Sequence, residues 1–564
     1  MQGQILGIQP QLVTLNQLLN GRLFRIPEYQ RSYSWDTKQR VELFSDIDKA
    51  RSADGQHFMA TIVGLRRETR NILTNEFSVI EIVDGQQRLT TLIILLKATE
   101  MALDPTDQFQ KTVAEELRKL LVKADDLALV LLQTNHDSSQ YCLTYLRNGS
   151  HPPVSAAETL ADRYLLAAMV DCERYVQRWK ASGSSLTDLV GMLKNKLYFI
   201  FHELADEATV YLVFEVLNSR GLEVSWFDRL KSILMGIAFE ARTGNESETI
   251  DELHSIWHEI YETIGLRQGL NTEALRFAAT LSVPIRPNRP LGEEDSVTVL
   301  RDAAQNSAKG AIDVSKWVLR VTQAADALYA DKRLTAVTAI VQARLLAVAL
   351  QLREDITYGE RKSLLNEWER VSFRIYGMYR KDARTKVGDY VRLAWECMNT
   401  GLDAEDLSDE LGALGSDHPI GSAVEALRNV NCYEEWQTEL RYFLFRYEEH
   451  LAETKGQNFD NVQWTRIWEA SAAHSIEHVL PQSRGFGWPT KTGIFVHRLG
   501  NLTLLPPGLN SKLGNLDPVD KKDEYLKTGL AVAVDVAQRM PPWDREAVEK
   551  REEDLLAWAA SEWA

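Results

Sequence analysis

The chain has no Gly-x-x-x-x-Gly-Lys-Ser/Thr string, so any nucleotide hydrolysis it performs is not of the P-loop kind. Cysteine is scarce: Cys142, Cys172, Cys397 and Cys432 lie far apart, with no Cys-x-x-Cys pair. That argues against a zinc knuckle or a disulfide framework and fits a reducing, cytoplasmic setting. No charge-free apolar run is long enough to span a bilayer, so no membrane contact is expected. The opening residues, MQGQILGIQPQLVTLNQLLNG, lack a positive segment followed by an apolar block and a small-residue cleavage site, and no leader is expected. Positive charge is in deficit: 64 Lys and Arg against 80 Asp and Glu give a net charge of −16. A protein that coats nucleic acid indiscriminately is basic. If this one meets DNA, it does so through local patches, with salt-sensitive and selective binding.

What the chain does have is length and an apolar content ample for sizeable cores. Its 564 residues exceed what one core holds, so several domains are expected. The stretch Phe77–Ala98, FSVIEIVDGQQRLTTLIILLKA, organises the rest. Phe77–Val83 is a β-branched apolar run suited to a buried strand. Leu89–Ala98 is apolar almost throughout, without Gly or Pro, and predicts a core helix. Between them lies Asp84-Gly85-Gln86-Gln87-Arg88. A glycine turn feeding a helix start aims backbone N–H groups and the positive end of the helix dipole at one spot, and Arg88 adds a donor fork matched to phosphate. The bland alternative is a strand–turn–helix corner whose polar residues cap the helix.

Upstream, Leu12, Leu15, Leu18 and Leu19 predict a lead-in helix closed by Asn20-Gly21. Ile26-Pro27 forces an extended segment, and Asp36 is the expected cap of a following helix. In that segment Tyr29, Gln30, Arg31 and Tyr33 form either an aromatic anchor in the core or a surface that contacts bases and phosphates. His57 onward and Asn195–Glu203 predict further strands. Val210–Leu217 predicts a buried helix, Asn218–Gly221 a turn, and Ser225 or Asp228 a new helix start. Residues 236–425 read as helical. Within them Arg374–Arg392 is the most basic stretch, either a solvated helix face or a phosphate contact. His254 and His258, four apart, lack the adjacent Glu of a zinc-protease pattern and read as coincidence.

Near the end, Ser475–Gln482 and Arg498–Leu505 predict two strands, PPGLNSKLGN leads into a helix, and Asp517-Pro518 starts another. Glu477, His478, Asn501 and Asn510 along these elements are the parts of metal-assisted phosphodiester hydrolysis. Glu477 and the Asn510 carbonyl suit a hard cation, His478 can deprotonate water, and Asn501 can hold the imidazole. Adjacent strand residues point to opposite faces, so Glu477 and His478 share a site only if the strand bends or ends there.

Taken together, IPEYQRSYSW (Ile26–Trp35), VDGQQRLTTL (Val83–Leu92) and FEVLNSRG (Phe214–Gly221) resemble the N-terminal domain of the GmrSD restriction enzymes. SIEHVLPQ (Ser475–Gln482) with HRLGNLTLLPPGLNSKLGN (His497–Asn515) is similar to that family's C-terminal nuclease domain. These strings, in family order and at both ends of the chain, make the resemblance specific; the helical middle carries little of it. The resemblance implies a mixed α+β, predominantly helical fold. A ParB/sulfiredoxin-like domain over residues 1–240 would bind and hydrolyse nucleoside triphosphate, GTP or ATP, through Asp84–Arg88. A helical domain would follow over 241–425, then a ββα-metal (HNH) nuclease over 426–564. It implies His478 as general base, Asn501 as framework asparagine, and Glu477 and Asn510 as ligands of Mg²⁺ or Mn²⁺. The partner is double-stranded DNA bearing a modification, and a homo-oligomer is compatible with the sequence. Ala60 departs from the glycine usual after the Phe-Met pair, which touches strand packing more than chemistry. The expected function is a nucleotide-regulated, metal-dependent DNA endonuclease of phage defence. The rivals are a nucleotide-dependent DNA sensor or switch with an inactive nuclease domain, and an RNA-directed nuclease.

Overall fold

The computed structural model describes residues 10–26, 32–52, 57–72, 74–123, 131–133, 139–204, 225–240, 246–330, 340–428, 430–456, 461–483 and 494–564. Tyr29, Gln30, Arg31 and the FEVLNSRG string, with its expected helix and turn, lie outside the described residues. The chain is mixed α+β and mostly helical. It divides into two compact units, residues 1–275 with 292–322, and residues 276–291 with 323–564. No helix among the described residues is long and apolar enough to cross a membrane.

The first unit is built on a mixed six-stranded sheet. Its strands are β1 (Pro10–Thr14), β2 (Arg22–Ile26), β3 (His57–Ile72), β4 (Asn75–Asp84), β5 (Leu131–Gln133) and β6 (Leu197–Leu204), in the order β1-β6-β3-β4-β2-β5. β4 lies antiparallel to β3 and parallel to β2, so the strand that carries Asp84 is flanked on both sides. Helix α1 (Leu15–Leu19) follows β1 and α2 (Thr37–Ser52) follows β2. After β4 the chain turns at Gly85 into α3 (Gln86–Ala102), the expected core helix, which is buried without interruption from Leu89 to Glu100. A helix apolar all round has no solvent face to offer, and α3 lies between the sheet and α4 (Leu160–Ala181).

One expectation is corrected here. Residues 10–14 form a strand, and only Leu15–Leu19 is helical. The cause is local. Thr14 Oγ1 accepts from Gln17 N while Gln17 Oε1 accepts from Thr14 N, a reciprocal cap that starts the helix at Leu15. Leu12, counted on the apolar stripe, is 60% exposed on β1, whereas Leu15, Leu18 and Leu19 are fully buried.

In the second unit a π-helical turn over Phe373–Met378 is wholly buried and precedes α5 (Val387–Asn399). The short α6 (Cys432–Glu435) leads into α7 (Gln437–Thr454). Arg446 of α7 pairs with buried Glu369 at 2.8 Å, and Tyr442 donates to the same carboxylate. Two three-residue strands, β7 (Ile476–His478) and β8 (Leu502–Leu504), pair antiparallel with His478 opposite Leu502. Both are shorter than the sequence suggests, because residues 494–501 wind into two 3₁₀ turns instead of extending β8. α8 (Pro507–Leu513), α9 (Pro518–Leu526) and α10 (Arg545–Glu562) complete the unit.

Candidate functional site

The corner at Asp84–Arg88 starts from a backbone requirement. Gly85 has φ 88°, and an added Cβ would stand 2.9 Å from Ile62 Cγ1 and 3.1 Å from the Thr61 carbonyl, so both conformation and packing demand glycine. Gly85 gives α3 no side-chain cap. Gln86 and Gln87 are buried. The Gln87 amide is a clasp: its Oε1 accepts from Ser34 N at 2.8 Å and its Nε2 donates to Ser32 O at 3.0 Å. Two separate sequence motifs are thereby joined. Tyr33 is buried, its hydroxyl 2.8 Å from Thr91 Oγ1, and in this arrangement it shows no face to a ligand. Arg88 donates to Met59 O at 2.7 Å, lies over the Trp35 ring, and has a buried Nε with no hydrogen-bond partner among the described residues. Burial lowers its pKa, and Asp46, Asp84 and Glu42 oppose that shift.

Farther along, Ser225 caps its helix by accepting from Asp228 N, and the Asp228 carboxylate takes the Ser225 and Tyr261 hydroxyls. These polar residues are satisfied among themselves. His254 and His258 share one helix, and no group of three or more His, Cys, Asp or Glu gathers as a metal site among the described residues.

In the second unit the strand rule decides the geometry. Glu477 and His478 are neighbours on β7 and face opposite ways. Glu477 turns inward, where its Oε1 accepts from Lys521 Nζ at 2.7 Å and Tyr525 Oη at 2.8 Å. The Lys521 side chain is fully buried and also donates to the His478 carbonyl at 2.8 Å. Burial pulls the Glu477 carboxyl up and the Lys521 ammonium down, and their contact opposes both shifts. An ammonium thus stands beside the oxygen that a cation would need.

His478 turns the other way. Its Nε2 lies 3.0 Å from His497 Nδ1, and Gln482 Nε2 lies 3.3 Å from its Nδ1. The Tyr433 ring stands edge-on to His478 at 4.5 Å and stacks on His497 at 5.4 Å. Burial, with His497 and Lys521 nearby, pushes the His478 pKa down to about 3, so the ring is neutral. An anionic phosphodiester beside it would raise that value again. With the Gln482 amide nitrogen as donor to Nδ1, the matching tautomer of His478 carries its proton on Nε2 and gives it to His497.

Asn501 touches neither imidazole. It is fully buried, and both ends of its amide are spent: Oδ1 accepts from Leu480 N at 2.9 Å and Trp543 Nε1 at 3.1 Å, while Nδ2 donates to Leu480 O at 3.1 Å and Val496 O at 2.8 Å. It ties the chain just after His478 to the turn that carries His497. That turn rests on α10: a Cβ on Gly500 would meet Val548 O at 2.2 Å, and Arg551 donates to the Gly500 and Leu502 carbonyls. Asn510, on α8, donates to His474 O and Ile476 O, which leaves its carbonyl oxygen without a partner among the described residues. Of the two oxygen ligands expected for a hard cation, Asn510 keeps its carbonyl oxygen open, while Oε1 of Glu477 is taken by Lys521 and Tyr525.

Sequence reasoning missed His497, Gln482, Tyr433 and Lys521. His497 and Gln482 stood inside the quoted strings, where a ring nitrogen and an amide near His478 were the available signal. Tyr433 comes from α6, and no local pattern marks it.

Residues 15–235 match the model of the GmrSD restriction endonuclease N-terminal domain, and residues 421–558 match that of the GmrSD restriction endonuclease C-terminal domain. No curated protein matches the chain.

Proposed function

The chain belongs to the GmrSD restriction endonucleases, with the family's N-terminal and C-terminal domains in one polypeptide, and on that premise we propose a nucleotide-regulated, metal-dependent enzyme that cuts modified double-stranded DNA in phage defence. In this reading residues 1–240 are a ParB/sulfiredoxin-like nucleotide domain, 241–425 a helical domain, and 426–564 an HNH nuclease.

The observation that carries the nuclease chemistry is the His478–His497 pair. With the Nε2 proton of His478 held by His497, Nδ1 is the basic nitrogen, and the exposed side chain of Gln482 stands at it. Displacing that amide admits a water, and Nδ1 takes its proton. The water oxygen forms a bond to phosphorus while the bond from phosphorus to the leaving sugar oxygen breaks, and solvent protonates the leaving oxygen. The new imidazolium keeps its Nε2–H on His497. Asn501 acts here as a positioning residue, fixing the distance between the two rings through the backbone. The open carbonyl of Asn510 would hold a divalent cation, Mg²⁺ or Mn²⁺, which would supply neutralising charge at the phosphodiester.

At the other corner, the uncapped start of α3 and the buried, partnerless Arg88 Nε support a nucleoside triphosphate, GTP or ATP, at Asp84–Arg88. Gln87 holds the Ser32–Trp35 segment against that corner. Arg88 meets the phosphate.

Plasmid nicking in Mg²⁺ by the parental protein and by His478→Ala tests the reading. The expected loss is about 10²–10⁴-fold, the usual worth of a general base, with folding and nucleotide turnover retained. A variant that nicks at the parental rate removes His478 from the chemistry.

A further inference from the structure

The basic stretch singled out in the sequence has no part in either site described above. Its densest portion, Arg380-Lys381-Asp382-Ala383-Arg384-Thr385-Lys386, sets four cations against one carboxylate in a chain of net charge −16. An ordinary solvated face mixes its signs. This segment is weighted four to one, and it is not a helix face: it is a loop between the buried π turn and α5.

The loop is held from beneath. Tyr376 Oη donates to Thr385 O at 2.7 Å, Gln342 Nε2 donates to Ala383 O at 2.8 Å, and Tyr379 Oη donates to Pro419 O at 2.9 Å. Arg380 and Lys386 bracket it, both with φ 55°, a left-handed conformation costly for residues with a Cβ and kept only where the surroundings impose it. Each of these two is ion-paired, Arg380 with Glu435 at 2.9 Å and Lys386 with Asp417 at 2.8 Å. The single carboxylate, Asp382, accepts from Arg384 N at 2.9 Å. What remains on the outer rim is Lys381 and Arg384, both exposed and neither in an ion pair among the described residues.

Its position gives the loop a partner. Glu435 closes α6, and Tyr433 of the same short helix stacks on His497 and stands edge-on to His478. We propose that Lys381 and Arg384 grip the phosphate backbone of duplex DNA beside the His478–His497 pair, an inference that rests on the endonuclease reading above. A held loop that presents two exposed cations, neither ion-paired among the described residues, concentrates the substrate locally where the whole molecule repels it. The contact is to phosphate, so it sets affinity and register and leaves sequence choice to other residues.

The test is a titration of a short DNA duplex by the full chain carrying His478→Ala, which keeps bound DNA uncut, over a range of salt. Adding Lys381→Ala with Arg384→Ala is expected to weaken binding and to reduce the slope of log Kd against log salt by about 2, one unit per lost phosphate contact. Lys381→Glu with Arg384→Glu should weaken it further, and Lys362→Ala, an exposed cation on the helix Tyr358–Ser372 of the same unit, should leave the slope unchanged. Parental affinity and slope in the loop variants overturn the inference, and leave the endonuclease reading standing if the parental protein cuts DNA. A loss confined to duplex RNA overturns it as well. If the loop variants lose DNA binding but the parental protein cuts no DNA, the endonuclease reading falls alone.

Discussion

The Asp84–Arg88 corner and the His478–Asn501 site are built alike and used differently. In each, a buried amide beside a strand uses both of its ends to hold the backbone of another segment: Gln87 on Ser32 and Ser34, Asn501 on Leu480 and Val496. In each, a buried ionisable side chain lies close by, Arg88 in one and His478 in the other. The difference lies in the surroundings. Burial disfavours the charged form of both side chains; at Arg88 the carboxylates of Asp46, Asp84 and Glu42 oppose it, whereas at His478 the nearby His497 and Lys521 add to it. One corner holds a fixed cation suited to an anion, and the other a neutral base. The amides hold the two corners together, and in the proposed reading the ionisable groups act.

Variants that separate holding from acting sharpen this contrast. The largest effect is expected at Asn501→Ala. It strands four buried donors and acceptors, each costing about 1–3 kcal/mol, so the second unit should lose about 3 kcal/mol or more in a urea titration, and DNA cutting with it. Preserved stability with lost cutting would make Asn501 a direct participant instead. Next comes Arg88→Ala. A charge-assisted contact to phosphate is worth about 1.5–3 kcal/mol, so nucleotide affinity should fall roughly 10- to 100-fold while the melting curve of the first unit stays in place. Smallest is Gln87→Ala, whose backbone partners are half-exposed. About 1–2 kcal/mol of stability should go, with nucleotide turnover reduced only as far as the Ser32–Trp35 segment loosens. Unchanged turnover in both of the last two variants, measured by phosphate release, moves the nucleotide site elsewhere.

The elements were legible where one local signal dominated. The apolar run of Phe77–Val83, the glycine turn and the uninterrupted apolar helix became β4, Gly85 and α3, because no competing cap or partner intervenes. Residues 10–14 misled because the helical spacing of the leucines was real, yet Thr14 and Gln17 capped the helix late. Around His478 the alternation of a strand already warned that Glu477 and His478 part company. Lys521 as the partner of Glu477 was not legible, since it arrives from α9 through tertiary packing. Nor was Tyr433, which reaches the two histidines from α6. An isolated His497 four residues ahead of Asn501 carries no pattern until the 3₁₀ turns bring its ring to His478.

A regulated nuclease requires that the two corners sense one another, and two sites are coupled only when each ligand favours one of two arrangements. Linkage makes such coupling reciprocal for binding. The direct measurement is nucleotide affinity and turnover with and without DNA that is unmodified, methylated, glucosylated or phosphorothioated, paired with cleavage of each DNA with and without nucleotide. The account predicts that one modified DNA shifts nucleotide affinity, and that nucleotide shifts affinity for that same DNA by the same factor, with a matching change in cutting. If no pairing changes the binding or rate of the other ligand, the two activities are independent and the regulated reading is contradicted.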